Sequence, residues 1–281
     1  MPRVVSVAHT ATAAQRSVRP LISRRRPLLA ALTTLISATS GRRRDACAAA
    51  MRMPEGAAAK VLADATFPED FPFTAEDFRR FDESDDAYFY SAPRFVTHID
   101  DGAIKALTSF YAKELPREPG VKLLDMCSSW ISHLPDKYED NKEITGLGMN
   151  EDELKANPAL ANYVVQNLNK DPILPFEDNT FDVITNVVSV DYLSRPIEVF
   201  REMHRVLKPN GRAIMSFSNR CFPTKAISLW TATDDATHIY IVGSYFHYTG
   251  FNQPKAHDIS PRPVLFGIGG DPMYVVEATK A

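Results

Sequence analysis

The middle of the chain alternates short apolar runs with polar, turn-forming stretches. Five runs stand out, at 121–125, 143–147, 163–165, 181–190 and 213–217. Runs of this length that are bounded by turn residues are typical of buried strands. The fourth run is rich in β-branched residues, which indicates a strand buried on both faces of a sheet. We therefore predict five strands in this order.

Helical spacing of apolar residues occurs between and around these runs. The first strand is expected to turn directly into a helix, and residues 51–72 are expected to form a linker or extended arm. The β-branched content of 236–248 leaves a strand there as the alternative to a helix. The other predicted features are a capping box at Thr74–Asp77, helix N-caps at Asp100, Asn150 and Ser194, a helix stop at Lys208–Gly211, and helices over 224–231 and 236–248.

Two more strands are predicted near the end of the chain, at 253–259 and 273–279, as an antiparallel pair. Before them, strand and helix are expected to alternate five times. This order predicts an α/β protein with a doubly wound, Rossmann-like, mostly parallel sheet and a terminal antiparallel strand pair. The chain then divides into a leader at 1–50, an N-terminal arm with lid helices at 51–119, and the sheet domain at 120–281.

Charge is distributed unevenly along the 281 residues. The first 50 contain nine Arg, no Lys and one acidic residue, so they carry +8 and leave −11 on the remainder, the whole chain being −3. An acidic main part argues against nucleic acid or an anionic membrane surface as a partner. No apolar run reaches the ~20 residues that span a bilayer, so no integral membrane segment is expected. The spacing of the three Cys residues predicts no metal site.

The basic first segment has the composition of an organelle transit peptide, rich in Arg, Ser, Ala and Thr. Within it, Arg24–Arg26 precede an apolar stretch at 27–36, and small residues end at Ala46–Ala50. This arrangement is typical of a twin-arginine export signal behind a transit peptide. The expected location is the chloroplast, either the stroma or the thylakoid lumen.

The stretch at 121–131 carries the first candidate site. An apolar run ends in the carboxylate of Asp125, and small residues follow it at once. Ligands of α/β proteins bind at the carboxyl edge of the sheet, where such a residue would lie. The aromatic segment at 88–99 could cover this edge as a lid, with Tyr90, Arg94 and His98 as site candidates. The alternative is that its aromatic residues only seal the sheet, the residues concerned being Tyr88, Phe89 and Phe95.

Two later blocks are specific. The first is the sequence LPFEDNTFDVI at 174–184, and the second is EMHRVLKPNG at 202–211. Together with the strand, carboxylate and turn before them, they resemble a class I, S-adenosylmethionine-dependent methyltransferase of the type 11 domain kind. The resemblance covers about 121–279, and it is especially close to plastid methyltransferase-like proteins of plants and algae.

The resemblance implies S-adenosylmethionine as cofactor and a small molecule as substrate. It implies that Asp125 lies beside the aminoacyl part of the cofactor, and that Asn167 and Leu168 flank adenine. Asn186 and Val187 are expected under the methionine moiety. The full set of implied cofactor-binding residues is Asp125, Met126, Cys127, Ser128, Ser129, Gly148, Met149, Asn150, Asn167, Leu168, Asn186 and Val187.

The chain departs from the family pattern at two places. The family's three loop glycines fall on Cys127, Ser129 and Ile131, and the acidic residue that binds the ribose hydroxyls falls on Gly148. Glycine in such a loop lets the backbone approach the ligand closely. These departures favour the alternative of a non-catalytic, methyltransferase-like binding protein. A nicotinamide dehydrogenase is a weaker alternative, because the sequence lacks Gly-x-Gly-x-x-Gly.

Methyl transfer to a hydroxyl or amine needs a group that removes a proton. Four side chains near the predicted sheet edge could do this, and each has a structural alternative such as capping or packing. They are His133, Asp191, Tyr192 and His247.

Overall fold

A seven-stranded sheet forms the centre of the computed structural model, which describes residues 53–140, 142–261 and 270–281. The strand order is β3-β2-β1-β4-β5-β7-β6. The first five strands are parallel, and β7 is antiparallel to both of its neighbours. The strands are β1 Lys122–Met126, β2 Glu143–Gly148, β3 Asn162–Val165, β4 Phe181–Val187, β5 Leu207–Phe217, β6 Lys255–Asp258 and β7 Tyr274–Thr279. This topology confirms the predicted fold class. The leader lies outside the described residues.

Five α-helices of more than one turn flank the sheet in the described part of the chain. They are α1 Ala57–Ala63, α2 Asp101–Glu114, α3 Glu151–Ala156, α4 Pro196–Val206 and α5 Asp235–His247. One-turn α-helices occur at Asp86–Phe89 and Ser228–Thr231, and 3₁₀ turns at Ala75–Phe78 and Val190–Tyr192. Asp100 caps α2 as predicted, since its Oδ1 accepts from the Ala103 N–H at 2.8 Å. The capping box at Thr74–Asp77 is also present.

The arm is not simply extended, because it contains α1. Ala58 and Leu62 of this helix are buried. Leu62 packs against Gly243 of α5, where an added Cβ would come within 2.3 Å of the Leu62 side chain. Gln253 also donates from Nε2 to the Leu62 carbonyl at 3.0 Å. The missing side chain at position 243 therefore allows α1 to lie against α5.

The predicted helix after β1 is wrong. Residues 127–140 run as a loop and turns, and the connection from β3 to β4 contains no helix either, so the fivefold alternation is also wrong. The loop follows the end of β2, because the Ser128 N–H donates to the Leu147 carbonyl at 2.8 Å. A backbone held in that way cannot turn into a helix at once.

Several element boundaries differ from the predictions. Arg195, not Ser194, precedes α4, because the Ser194 N–H donates to Asn169 Oδ1 at 2.8 Å. α4 ends at Val206, and β5 begins before the predicted helix stop at Lys208–Gly211, since Leu207 pairs with Phe181.

The bounds of the fourth strand and of one of the two helices near the end of the chain also differ from the predictions. β4 ends at Val187, because Val188 adopts a φ of 41°. The predicted helix over 224–231 is reduced to Ser228–Thr231, where Ile227 forms a bridge with Arg80 of the arm. The helix predicted over 236–248 is confirmed as α5, and the strand alternative there is wrong.

The core lies on both faces of the sheet. On one face, buried residues of α4 and α5 such as Phe200 and Phe246 pack over β4 and β5. On the other face, Leu107 and Tyr111 of α2 cover β1. Both faces of the central strands are thus occupied, which leaves the strand ends free to form a site.

Candidate cofactor and substrate site

A cavity of about 400 Å³ opens at the carboxyl ends of β1, β2 and β4. Cavities of ~300–1,000 Å³ are typical of small-molecule sites. Ten of the twelve residues implied as cofactor-binding line it: Asp125, Cys127, Ser128, Ser129, Gly148, Met149, Asn150, Asn167, Leu168 and Val187. The other two, Met126 and Asn186, are buried beneath it, and Asn186 Nδ2 donates to the Met126 carbonyl at 3.0 Å.

Asp125 is buried at the end of β1 and is held by three hydroxyl groups. Ser128 and Ser132 each donate to its Oδ2 at 2.6 Å, and Thr185 donates to Oδ1 at 3.2 Å. Burial raises the pKa of this carboxyl, and the three hydrogen bonds oppose the rise. Asp125 therefore organises the loop after β1 in addition to lining the cavity.

The loop itself takes the place of a glycine-rich turn. Cys127 adopts a φ of 58°, a left-handed conformation that glycine adopts more readily. The Ser128 carbonyl lies over Gly148, where an added Cβ would come within 2.2 Å of this oxygen. No side chain fits at position 148 in this arrangement, so the end of β2 offers no carboxylate there.

The end of β3 and its following turn form the wall on the side implied for adenine. Leu168 is buried, and Asn167 Oδ1 accepts from the Asn169 N–H at 2.9 Å. Asn150 caps α3 by accepting from Asp152 and Glu153 N–H groups at 3.0 and 3.1 Å. These polar groups are thus held in place by their own backbone neighbours.

The aromatic segment at 88–99 borders the cavity. Tyr90, Arg94 and His98 line it, and Asn150 Nδ2 donates to the Tyr90 carbonyl at 2.9 Å. The alternative that the aromatic residues only seal the sheet is wrong, since Tyr88 is 77% exposed and Phe95 is 53% exposed.

Arg94 of this segment places a positively charged guanidinium at the cavity. The Arg94 guanidinium lies 4.1 Å from the Phe89 ring centroid and 5.5 Å from that of Phe222. No salt bridge to Arg94 occurs within the described residues. A half-buried cation without an anion is suited to binding a negatively charged group of a ligand.

The four candidate proton acceptors are not brought together. His133 and Tyr192 line the cavity, whereas Asp191 is buried and lies outside its lining. His247 is exposed on α5, with its ring 4.3 Å from that of Phe67, and it does not line the cavity. Burial, with a smaller effect of His98, lowers the pKa of His133 to about 4. His133 is therefore neutral near pH 7.

This low pKa can be measured directly. We expect the imidazole resonances of His133 in an NMR pH titration to shift with a midpoint near pH 4, because a buried cation is costly and no carboxylate among the described residues pairs with this ring. A His133→Gln variant assigns the resonance. A midpoint above pH 6 would show that the ring is hydrated or paired with an acid.

A buried charged cluster from the arm was missed by the sequence analysis. Asp86 accepts from Arg80 at 2.7 Å, lies 3.3 Å from Lys225 Nζ, and accepts from Asn169 Nδ2 at 3.0 Å. Asp86, Arg80 and Lys225 all line the cavity. Lys225 lies far from Arg80 and Asp86 in the sequence, so no local pattern could have found the cluster.

Two classes of site are absent from the part of the chain that the structure describes. No group of three or more His, Cys, Asp or Glu side chains there could hold a metal ion. Among the same residues, no helix has the length and apolarity to cross a membrane.

The chain is similar to known proteins over part of its length. Residues 127–215 match the family of the methyltransferase domain. The demethylmenaquinone methyltransferases of Bacillus cereus and Staphylococcus epidermidis are 33% and 31% identical to it over 105 residues. These matches cover 34% of this chain and 44% and 43% of the two enzymes. The chain thus matches less than half the length of these relatives.

Solved structures of methyltransferases are similar to the chain at low identity. A phosphoethanolamine N-methyltransferase of Haemonchus contortus, in complex with S-adenosyl-L-methionine, has a TM-score of 0.48 and 14% identity, covering 76% of this chain and 61% of its own. An S-adenosylmethionine-dependent methyltransferase from Aquifex aeolicus has a TM-score of 0.43 and 18% identity, covering 65% of this chain and 99% of its own.

The sheet topology and the cavity define an α/β protein that binds its ligand at the carboxyl edge of a parallel sheet. Within this protein, residues 127–215 are similar to the methyltransferase domain family, a match that spans less than half of the chain. This leaves the nicotinamide dehydrogenase alternative without support.

Proposed function

We propose that the protein is an S-adenosylmethionine-dependent methyltransferase that acts on a small molecule. The observation that carries this proposal is the cavity at the carboxyl edge of β1, β2 and β4, within and beside the matched domain. Ten of the twelve residues that the family resemblance assigns to the cofactor line it.

The residues present are suited to the cofactor. Asn167 and Leu168 would hold adenine, and the loop at 127–129 would border the aminoacyl part. Arg94 offers a cation for the cofactor's carboxylate. When bound, the cofactor supplies a methyl group on a positively charged sulfur.

The aromatic part of the cavity lining would hold the methyl acceptor. Tyr90, Tyr192 and Phe222 present aromatic surface there, beside Cys221 and Arg220. The Phe222 N–H donates to Tyr192 Oη at 2.8 Å and fixes that ring. Such a wall favours a planar, partly apolar acceptor, and a ring compound like that named for the curated relatives is a first candidate to test.

The chain's own residues would position the acceptor and move a proton. Efficient transfer needs the acceptor atom about 3–3.5 Å from the methyl carbon, with water excluded. The neutral ring of His133 can accept a hydrogen bond from a hydroxyl or amine acceptor, but its pKa of about 4 makes it a weak base near pH 7.

A non-catalytic, ligand-binding role is the second candidate. The Ser128 N–H and the Asp125 carboxylate are already engaged within the protein, and position 148 carries no acid. Each of these features reduces the number of groups left for the cofactor.

Calorimetry with the full chain tests the proposal. We expect S-adenosylmethionine and S-adenosylhomocysteine to bind with dissociation constants of about 1–100 μM, equivalent to roughly −8 to −5.5 kcal/mol. An Asn167→Leu variant should bind more weakly, whereas Asn252→Leu, outside the cavity, should not. No heat at millimolar cofactor would refute cofactor binding. Binding without transfer of labelled methyl to extracted small molecules would favour the second role.

We also propose that residues 1–50 direct the chain to the chloroplast. The support is the high Arg content and the near absence of acidic residues in that segment. A fluorescent protein fused behind residues 1–50 should enter chloroplasts, and the lumen can be told from the stroma by fractionation. Retention of the fusion in the cytosol would refute the proposal.

A further inference from the structure

Three carboxylates line the cavity in the described part of the chain: Asp86, Asp125 and Glu153. Asp86 is paired with the cations of Arg80 and Lys225. Asp125 accepts from three hydroxyl groups. Both carboxylates are therefore engaged in contacts within the protein.

Glu153 has fewer partners. It is 8% exposed, its Oε1 accepts from the Arg94 N–H at 2.6 Å, and its Oε2 accepts from Ser129 Oγ at 2.6 Å. Neither donor is a charged group, and no salt bridge to Glu153 occurs among the described residues. A carboxylate has about four acceptor positions, so about two on Glu153 are left for a ligand.

The location of Glu153 is also informative. It lies in the first turn of α3, which follows the end of β2, and it borders the cavity together with Gly148 and Asn150. The family's ribose-binding acid would stand at position 148, but the Ser128 carbonyl excludes any side chain there. A carboxylate at this edge of the cavity can come only from a neighbouring position.

We propose that Glu153 binds the two ribose hydroxyls of the cofactor and so replaces the acid that position 148 cannot carry. This inference rests on the proposed function. The vicinal diol has two O–H donors, which match the two remaining acceptor positions on the carboxylate. Glu153 also holds Arg94 of the lid segment, so one side chain connects the ribose, the lid and the loop after β1.

The test compares two ligands by calorimetry on the full chain: S-adenosylhomocysteine and its 2′,3′-dideoxy analogue. We expect the unchanged protein to prefer the diol by about ten- to a hundredfold, as hydrogen bonds to a charged group predict. In Glu153→Gln, this preference should fall below about threefold. Glu151→Gln is the matched control on the same turn, since this exposed glutamate pairs with Lys155 and Tyr163.

Ser129→Ala provides a second variant that leaves the carboxylate in place. It removes one donor to Glu153, and it should retain at least a tenfold preference for the diol. Full retention of the preference in Glu153→Gln would overturn the role of Glu153 while leaving the methyltransferase proposal intact. Failure of the unchanged protein to bind either ligand would overturn both proposals.

Discussion

Gly148→Ala is expected to lower the free energy of unfolding by about 3 kcal/mol, near the upper end for overpacking. The new Cβ would lie 2.2 Å from the Ser128 carbonyl oxygen and 3.2 Å from a methyl group of Leu154. The Ser128 backbone cannot retreat easily, since its N–H is bonded to Leu147 and its hydroxyl to Asp125. Urea unfolding measures the change.

Gly120→Ala is the control for this effect. Gly120 has a φ of +80° and nothing within 4 Å of an added Cβ, so only backbone strain of about 1 kcal/mol is expected. A loss below about 1 kcal/mol for Gly148→Ala would mean that the loop after β1 moves away at little cost. Gly148→Asp is expected not to raise the affinity for the cofactor, because the Ser128 carbonyl leaves no space for a side chain at position 148.

The second large effect concerns Asp191. Burial raises the pKa of this carboxyl to about 8, and its Oδ2 has no hydrogen-bond partner in the part of the chain that the structure describes. Below pH 4, the folded and unfolded states both hold the proton. Between pH 4 and pH 8 only the folded state keeps it, so stability falls with rising pH by up to about 1.4 kcal/mol per unit. Above pH 8 the loss is complete.

Asp191→Asn removes this titration, because an amide stays neutral. The variant should therefore gain stability relative to the unchanged protein as the pH rises, reaching at least about 2 kcal/mol at pH 8. Urea unfolding at pH 5, 6, 7 and 8 measures the difference. Asp140→Asn, at an exposed turn, is the control and should stay within about 0.5 kcal/mol. A gain that does not grow with pH would show that Asp191 is hydrated or paired in solution.

The positions of the strands along the chain were predictable because their signals are local. Each strand is a short apolar run, and the blocks at 174–184 and 202–211 lie on the connections around β4 and β5. The caps at Asp100 and Asn150 were found for the same reason, since a cap depends on residues two or three positions away.

The features that were missed depend on distant contacts. The loop after β1 follows the end of β2 because of hydrogen bonds from Ser128 to Leu147 and from Asn157 to Ser132. Neither contact can be predicted from local propensity. The cap at Asn150 was predicted, but the neighbouring Glu153 was not identified as a site residue, and its carboxylate accepts hydrogen bonds from Ser129 and the Arg94 N–H. The positions of these residues along the strands and helices were predictable from sequence, but their hydrogen-bond partners were not.

The packing of α1 against α5 has a practical consequence for protein engineering. The region that matches the methyltransferase family begins at residue 127, yet Leu62 fills the space over Gly243 on α5. A fragment that begins at residue 127 and retains α5 would expose the apolar surface around Gly243 to water and favour aggregation. Truncated versions for expression or crystallisation should therefore start upstream of Ala57.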